Sequence, residues 1–267
     1  MEEALTCLPE DERETIKNLD VQSDDLTKVL SFPHESLSRI HYTWFVPLFE
    51  QMEPGMKPFL FSSLPEGYPE KLQGLLKEKI KRYDLARPFK EYFQLQLYRL
   101  IGAKEIVPLS FLPQSSIKTI AHLKKDVLVD LIDLIGTYDL AVEAKQVVDK
   151  KQLTKIYTAL SKKQRKFFQS VINQREIWHP IPLGLDRWAG DGKKLRKVLH
   201  QRGIKRLGIS LKGQSEDMRW HICRKLDTGR AKSVQKQFSE ELSEDVVKGI
   251  EKQLLYALNF IKRSDNE

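Results

Sequence analysis

The sequence predicts an all-α chain of tandem, armadillo-like helical modules forming an elongated array. Three observations carry that prediction. Apolar residues recur at three- and four-residue spacing through most of the chain. No segment sustains the period-two alternation of β-branched residues that a half-buried strand requires. A faint internal repeat also recurs at a constant offset. Leu128, Leu131, Ile132, Gly136, Leu140 and Lys145 line up with Leu195, Val198, Leu199, Gly203, Leu207 and Lys212, and after a one-residue slip Leu160 meets Leu226. A repeated supersecondary unit buries its apolar face against its neighbour, and such arrays serve as scaffolds more often than as catalysts.

The elements follow in chain order. Residues 1–31 form an acidic lead-in with helical potential. A first module spans 32–105. Its Trp44, Phe45, Leu48, Phe49 and Met52 make a helical apolar stripe that Pro54-Gly55 ends. Leu72, Leu75, Leu76 and Ile80 continue the pattern. Phe89, Tyr92, Phe93 and Leu97 then cover a wide arc, which predicts a helix sandwiched between modules. Pro108, Pro113 and Ser115-Ser116 mark a connector. The second module spans 117–173, and its first full helix is expected to stop at Gly136 in a left-handed C′ position. Pro180, Pro182, Gly184, Gly190 and Gly192 mark the next connector. The third module spans 184–264: a helix over 193–202 stopped by Gly203, a helix capped by Ser215, one capped by Thr228, and a last helix after Ser243. Glu216-Asp217 and Arg224-Lys225 complement the dipole of the Ser215 helix.

Charge is unevenly spread. Residues 1–30 hold nine acids and three basic residues, whereas 145–175 holds nine basic residues and one acid, and 193–236 holds fourteen and three. Such faces attract acidic proteins, nucleic acid or anionic lipid, or stand as solvated helix surfaces. No run of 18 apolar residues suits a membrane span. Met1-Glu2-Glu3-Ala4 lacks the pattern of a secretory signal. Cys7 and Cys223 are too few for a disulfide framework. A reducing cytoplasm is the expected location.

No catalytic constellation emerges. None of the six histidines pairs with another at helical spacing beside a carboxylate, and no phosphate-binding glycine loop or nucleophile elbow is present. His221 and Cys223 stand two apart, which points them to different helix faces. No enzyme activity, metal or cofactor is expected. The residues singled out for partner binding are His41 and Thr43, before the first strong helix, and the basic set Lys212, Arg219, Arg224, Lys225, Arg230 and Lys232.

From Lys194 to Phe238, KLRKVLHQRGIKRLGISLKGQSEDMRWHICRKLDTGRAKSVQKQF resembles the C-terminal domain of the flagellar motor switch protein FliG family. Its anchors are Leu211-Lys212-Gly213, Glu216-Asp217 and Arg230-Ala231. The first module resembles that family's middle domain through His41, Phe45 to Phe49, Pro54, Leu60 and Leu64-Pro65. The whole chain is most similar to a chlamydial, type III secretion-associated branch, through Gly136 to Lys151, Leu185-Asp186-Arg187-Trp188 and Arg224 to Thr228. The resemblance implies FliG-like helical modules that join a membrane-embedded ring to a cytoplasmic ring. Lys212 and Arg230 match basic motor-face positions, but Gln237 and Phe238 replace the acidic pair, and Ile40-His41-Tyr42-Thr43 keeps only the histidine of the middle-domain signature. The resemblance therefore implies a scaffold without the motor. It would link an inner-membrane ring protein to cytoplasmic sorting-platform subunits, peripheral to the membrane through that partner. The alternatives are a nucleic-acid-binding helical-repeat protein using the basic faces, or a chaperone for secreted segments.

Overall fold

The computed structural model describes residues 32–103, 106–174, 177–185 and 188–264. The acidic lead-in, Cys7 and Asp186-Arg187 lie outside the described residues. Among the described residues all regular structure is helical, and no strand occurs. The chain is all-α.

The first body packs α1 (Phe32–Arg39), a 3-10 turn (Tyr42–Phe45), α2 (Val46–Gln51), α3 (Lys57–Ser62), α4 (Tyr68–Gln73) and α5 (Arg87–Tyr98). Helices α2 to α5 each carry a proline in the first turn, where its missing N–H costs no bond and its fixed φ suits a helix start. Phe45, Phe49, Phe61, Leu72 and Leu97 fill the core, with Phe49 and Phe61 edge-to-face at 5.4 Å. Helix α4 ends at Gln73, yet Leu76 and Ile80 remain buried in non-helical chain, while Leu75 is exposed. Helix α5 is not sandwiched between modules as its wide apolar arc predicts. Leu97 is buried, but Phe89 and Tyr92 face outward.

The second body contains α6 (Lys118–His122), α7 (Lys125–Ile135), α8 (Thr137–Ala144), α9 (Lys150–Ala159), α10 (Lys162–Val171), α11 (Gly192–Ser210), α12 (Glu216–Lys225), α13 (Thr228–Gln235) and α14 (Glu244–Ser264). One continuous apolar cluster runs from Leu109 to Ile261. The second and third modules, expected as separate units, therefore share a single core.

The sequence repeat is visible in the element bounds. Lys125 and Gly192, which open α7 and α11, keep the same offset as Leu128 and Leu195. Lys150 and Lys162, which open α9 and α10, correspond to Glu216 and Thr228 of α12 and α13 with the same slip that pairs Leu160 with Leu226. The two copies do not stack by translation. They cross, and equivalent positions meet. A Cβ on Gly136 would lie 2.0 Å from the Leu199 carbonyl oxygen, and one on Gly203 would lie 1.8 Å from that of Ile132. Ile132 and Leu199 are themselves repeat equivalents, so the contact is isologous, as in a two-fold dimer. Two further equivalent pairs bond directly: His200 Nδ1 to Asp133 Oδ1 at 2.6 Å, and Arg206 Nη2 to Asp139 Oδ1 at 2.5 Å. The Asp139–Arg206 pair is almost wholly buried, and Arg206 also reaches Gln253 Oε1 at 2.8 Å.

This crossing corrects both glycine expectations. Gly136 has φ −66°, right-handed, and Gly203 lies inside a continuous 19-residue helix. Neither takes the left-handed stop conformation. Each glycine is there because the partner backbone comes too close for any side chain. The Ser215 cap holds as expected, with Ser215 Oγ accepting from Met218 N at 3.3 Å. Asp227, rather than Thr228, caps α13 by accepting from the Gly229 and Arg230 amides.

Gly136→Ala or Gly203→Ala forces α7 and α11 apart. Each is expected to cost at least about 1–3 kcal/mol, the usual penalty of overpacking. Gly213→Ala, with open space around it, is expected to leave stability within about 0.5 kcal/mol. Urea denaturation midpoints measured by circular dichroism distinguish the two.

Candidate functional site

Most of the residues singled out for partner binding are engaged inside the molecule. His41 N donates to the Arg224 carbonyl at 2.7 Å, and His41 Nδ1 lies 3.0 Å from Thr43 Oγ1. Thr43 Oγ1 accepts from Thr228 N at 3.2 Å. Between them Trp44 belongs to both cores, and its indole N–H donates to the Leu226 carbonyl at 2.9 Å. Arg224 stacks over Trp44 at 4.0 Å and over Trp220 at 5.4 Å, and Nη2 donates to the Ile101 carbonyl. A desolvated cation–π contact of this kind contributes on the order of 2 kcal/mol. The His41 edge and the Arg224 end of α12 are thus two halves of one seam that joins the bodies. Sequence reasoning picked out both halves but not their union, because they lie in different modules, far apart along the chain.

Lys225 is 4% exposed. Its Nζ donates to the Leu123 carbonyl at 2.6 Å and to that of Ala121, satisfying acceptors at the C-terminal end of α6. Burial, then the nearby charges of Arg39 and Lys125, push its ammonium down to about 7. Lys125, with Nζ donating to the Ile40 carbonyl at 2.9 Å and to the Tyr68 hydroxyl, is lowered to about 8 by burial and Lys71. Neither lysine offers a free cation to a partner. Both hold backbone oxygens.

The rest of the basic set is divided. Lys212 Nζ donates to the Glu240 carbonyl. Arg219 lies 5.1 Å over the ring of Phe238, so the aromatic residue standing in place of an acid is held by a cation–π contact. Arg230 Nε donates to His200 Nε2 at 2.9 Å, and its Nη1 lies 3.2 Å from Asp227 Oδ2. Lys232 is exposed, as is Lys236 one turn later. A second basic surface was legible only as composition. Ala159 sits against Gly192, and Arg196 Nη1 donates to the Ala159 carbonyl at 2.5 Å. This contact joins the end of α9 to the start of α11; Lys155, Lys193 and Lys197 on these helices are exposed, as are Lys162 and Arg165 on the following α10.

Among the described residues no group of three histidines, cysteines or carboxylates is placed to hold a metal ion. Cys223 is buried and its thiol is pushed up to about 12 by burial, while His221 Nε2 donates to the Val107 carbonyl at 2.8 Å. His221 Nε2 is thus turned to Val107 rather than to the thiol. A cleft of about 310 Å³ lies at the start of α11, lined by Leu183, Leu185, Trp188, Leu195 and Val198, with Lys194 also bordering it. Its apolar lining suits an inserted side chain. No helix among the described residues is long and apolar enough to cross a membrane. No family model, curated protein or solved structure matches this chain.

The buried lysines fix a pH dependence. Between the folded values and the ordinary lysine value of 10.5, the unfolded chain binds the protons that the folded chain has released. Stability therefore rises with pH from about 7 to about 9. Above that range the raised Cys223 thiol and Tyr68 phenol, each pushed up to about 12, oppose it. In Lys225→Gln the rise between pH 7 and 9 is expected to shrink, measured as the shift in urea midpoint. An unchanged slope contradicts the assignment.

Proposed function

We propose that this chain is a non-enzymatic, FliG-like scaffold of a type III secretion apparatus. It would link an inner-membrane ring protein to cytoplasmic sorting components. The observation that carries the class is the fate of the polar groups. The residues with the most chemical promise, His41, Arg224, Lys225, His221 and Cys223, are internal contacts or buried, and what remains outside is docking surface. The particular apparatus rests on the resemblance over Lys194–Phe238 and in the first module. The replacement of the acidic pair by Gln237 and Phe238 supports a static linker over a torque-bearing one. On this reading the protein works in the cytoplasm, next to the membrane by way of its ring partner.

Nucleic-acid binding is the second reading. One observation favours it: Lys155, Lys162, Arg165, Lys193 and Lys197 are all exposed on α9, α10 and α11, and exposed cations of this density attract a phosphate backbone. Phe167 and Phe168 are fully buried and offer no stacking face to bases there.

Affinity capture from nuclease-treated lysate, followed by mass spectrometry, separates the two readings. The scaffold reading predicts recovery of secretion-ring subunits that survives nuclease. Lys232→Glu with Lys236→Glu, both exposed, is expected to reduce that recovery without moving the thermal midpoint. Capture limited to ribosomal or nucleoid proteins and abolished by nuclease contradicts the scaffold.

A further inference from the structure

Helix α5 carries an apolar stripe that the described fold leaves uncovered. Phe89, Tyr92 and Leu100 are 62%, 54% and 53% exposed. Their spacing places them along one side of α5 and its continuation through Arg99–Ala103. Beside the stripe, Phe59 is stacked between Tyr83 at 5.3 Å and Phe93 at 5.6 Å, and Met56 is 43% exposed. A contiguous aromatic face of this kind marks a docking surface. Its rim is basic. Residues 77–99 hold seven basic side chains, all exposed, against three acids. Two of the seven are paired, Arg82 with Glu70 and Arg87 with Glu91, and Glu78 pairs with Lys57, which leaves five basic residues against Asp84.

The chemistry of the rim limits the occupant. A second copy of this chain would set the basic rim against itself. Nucleobases find little free ring face in the ladder, because Phe59 is covered by both neighbours and Lys81 Nζ lies 5.1 Å over Tyr83. An acidic segment with spaced apolar residues fits both the rim and the stripe.

We propose that the occupant is the chain's own acidic segment, residues 1–31. It carries nine acids and three basic residues, with Leu5 and Leu8, Ile16 and Leu19, and Leu26 and Val29 each at three-residue spacing. It joins the described structure at α1, which packs on α5, and His34 Nδ1 lies 3.0 Å from Gln94 Nε2. Gln94 is on the buried face of α5, so the segment starts at the helix but must pass around it to reach the stripe. The three residues from His34 back to Ser31 span at most about 11 Å, and the residues before them supply the remaining reach. Tethering at that distance gives an effective concentration in the millimolar range, enough to hold a weak contact. This inference stands apart from the secretion reading.

The test uses the full chain with a nitroxide on Cys7. Cys223 is buried with its thiol pushed up to about 12, so it does not compete for the label. The expected result is loss of the amide NMR signals of Phe89, Tyr92, Gln96 and Leu100. That loss persists when labelled chain is diluted into excess unlabelled chain, and it is reversed by Lys81→Glu with Lys90→Glu. A label at Ser23→Cys in a Cys7→Ser chain repeats the test nearer to α1. Full-intensity α5 signals with both labels overturn the proposal. A loss that vanishes on dilution into unlabelled chain also overturns it and assigns the face to a second copy.

Discussion

The close approach of Gly136 and Gly203 is the constraint on which the second body depends. With a Cβ at either position 2.0 Å or less from a backbone oxygen, α7 and α11 could not reach their observed separation. That separation lets Leu128, Leu131 and Ile132 interdigitate with Leu195 and Leu199, all at 3% exposure or less. It also brings Asp133 to His200 and Asp139 to Arg206. The second pair sits in a site so enclosed that losing either partner alone would strand a buried charge, a penalty of about 3–5 kcal/mol. Polar specificity and apolar packing therefore depend on the same two missing side chains.

The seam between the two bodies is built differently. No glycine crossing occurs there. A half-buried tryptophan is shared by both cores, and cationic side chains from the second body satisfy carbonyl oxygens at the seam. Arg224 reaches the first body at Ile101, and Lys125 does so at Ile40. Cations in this role contribute through desolvated contacts with aromatic rings and helix-end carbonyls. For that reason the chain's positive charge overstates the positive surface it presents. The remaining outward-facing groups divide into basic residues on α9, α10 and α11, a small basic edge at Lys232 and Lys236, and an aromatic face on α5.

Much of this was legible in the sequence, and the failures have physical causes. The helical class, the Ser215 cap and the apolar lists of most helices follow from spacing alone. The repeat was legible, but its geometry was not. Translational stacking and a two-fold crossing leave the same one-dimensional signature, and only the backbone approach at Gly136 and Gly203 tells them apart. A glycine after an apolar run reads as a stop because most such glycines end helices. At Gly203 the demand came instead from a partner helix in the other copy of the repeat, while at Gly136 a helix end and that demand coincide. The aromatic run on α5 read as buried because periodicity records amphipathicity without saying which faces find partners. Among the proposed contact residues, His41, Thr43, Arg224 and Lys225 were noticed for good reason, since each makes a specific contact. Sequence carries no sign of whether that contact lies inside or outside the molecule.

Native-state hydrogen exchange along the chain tests the central claim most directly, that the two repeat copies form one cooperative unit through their crossing. The account predicts that amides of α7 and α11 share the highest protection and exchange through a single opening whose free energy matches global unfolding of the second body. Exchange of α7 to α10 through an opening that leaves α11 to α14 protected would contradict it, and would mean that the copies are independent modules in contact.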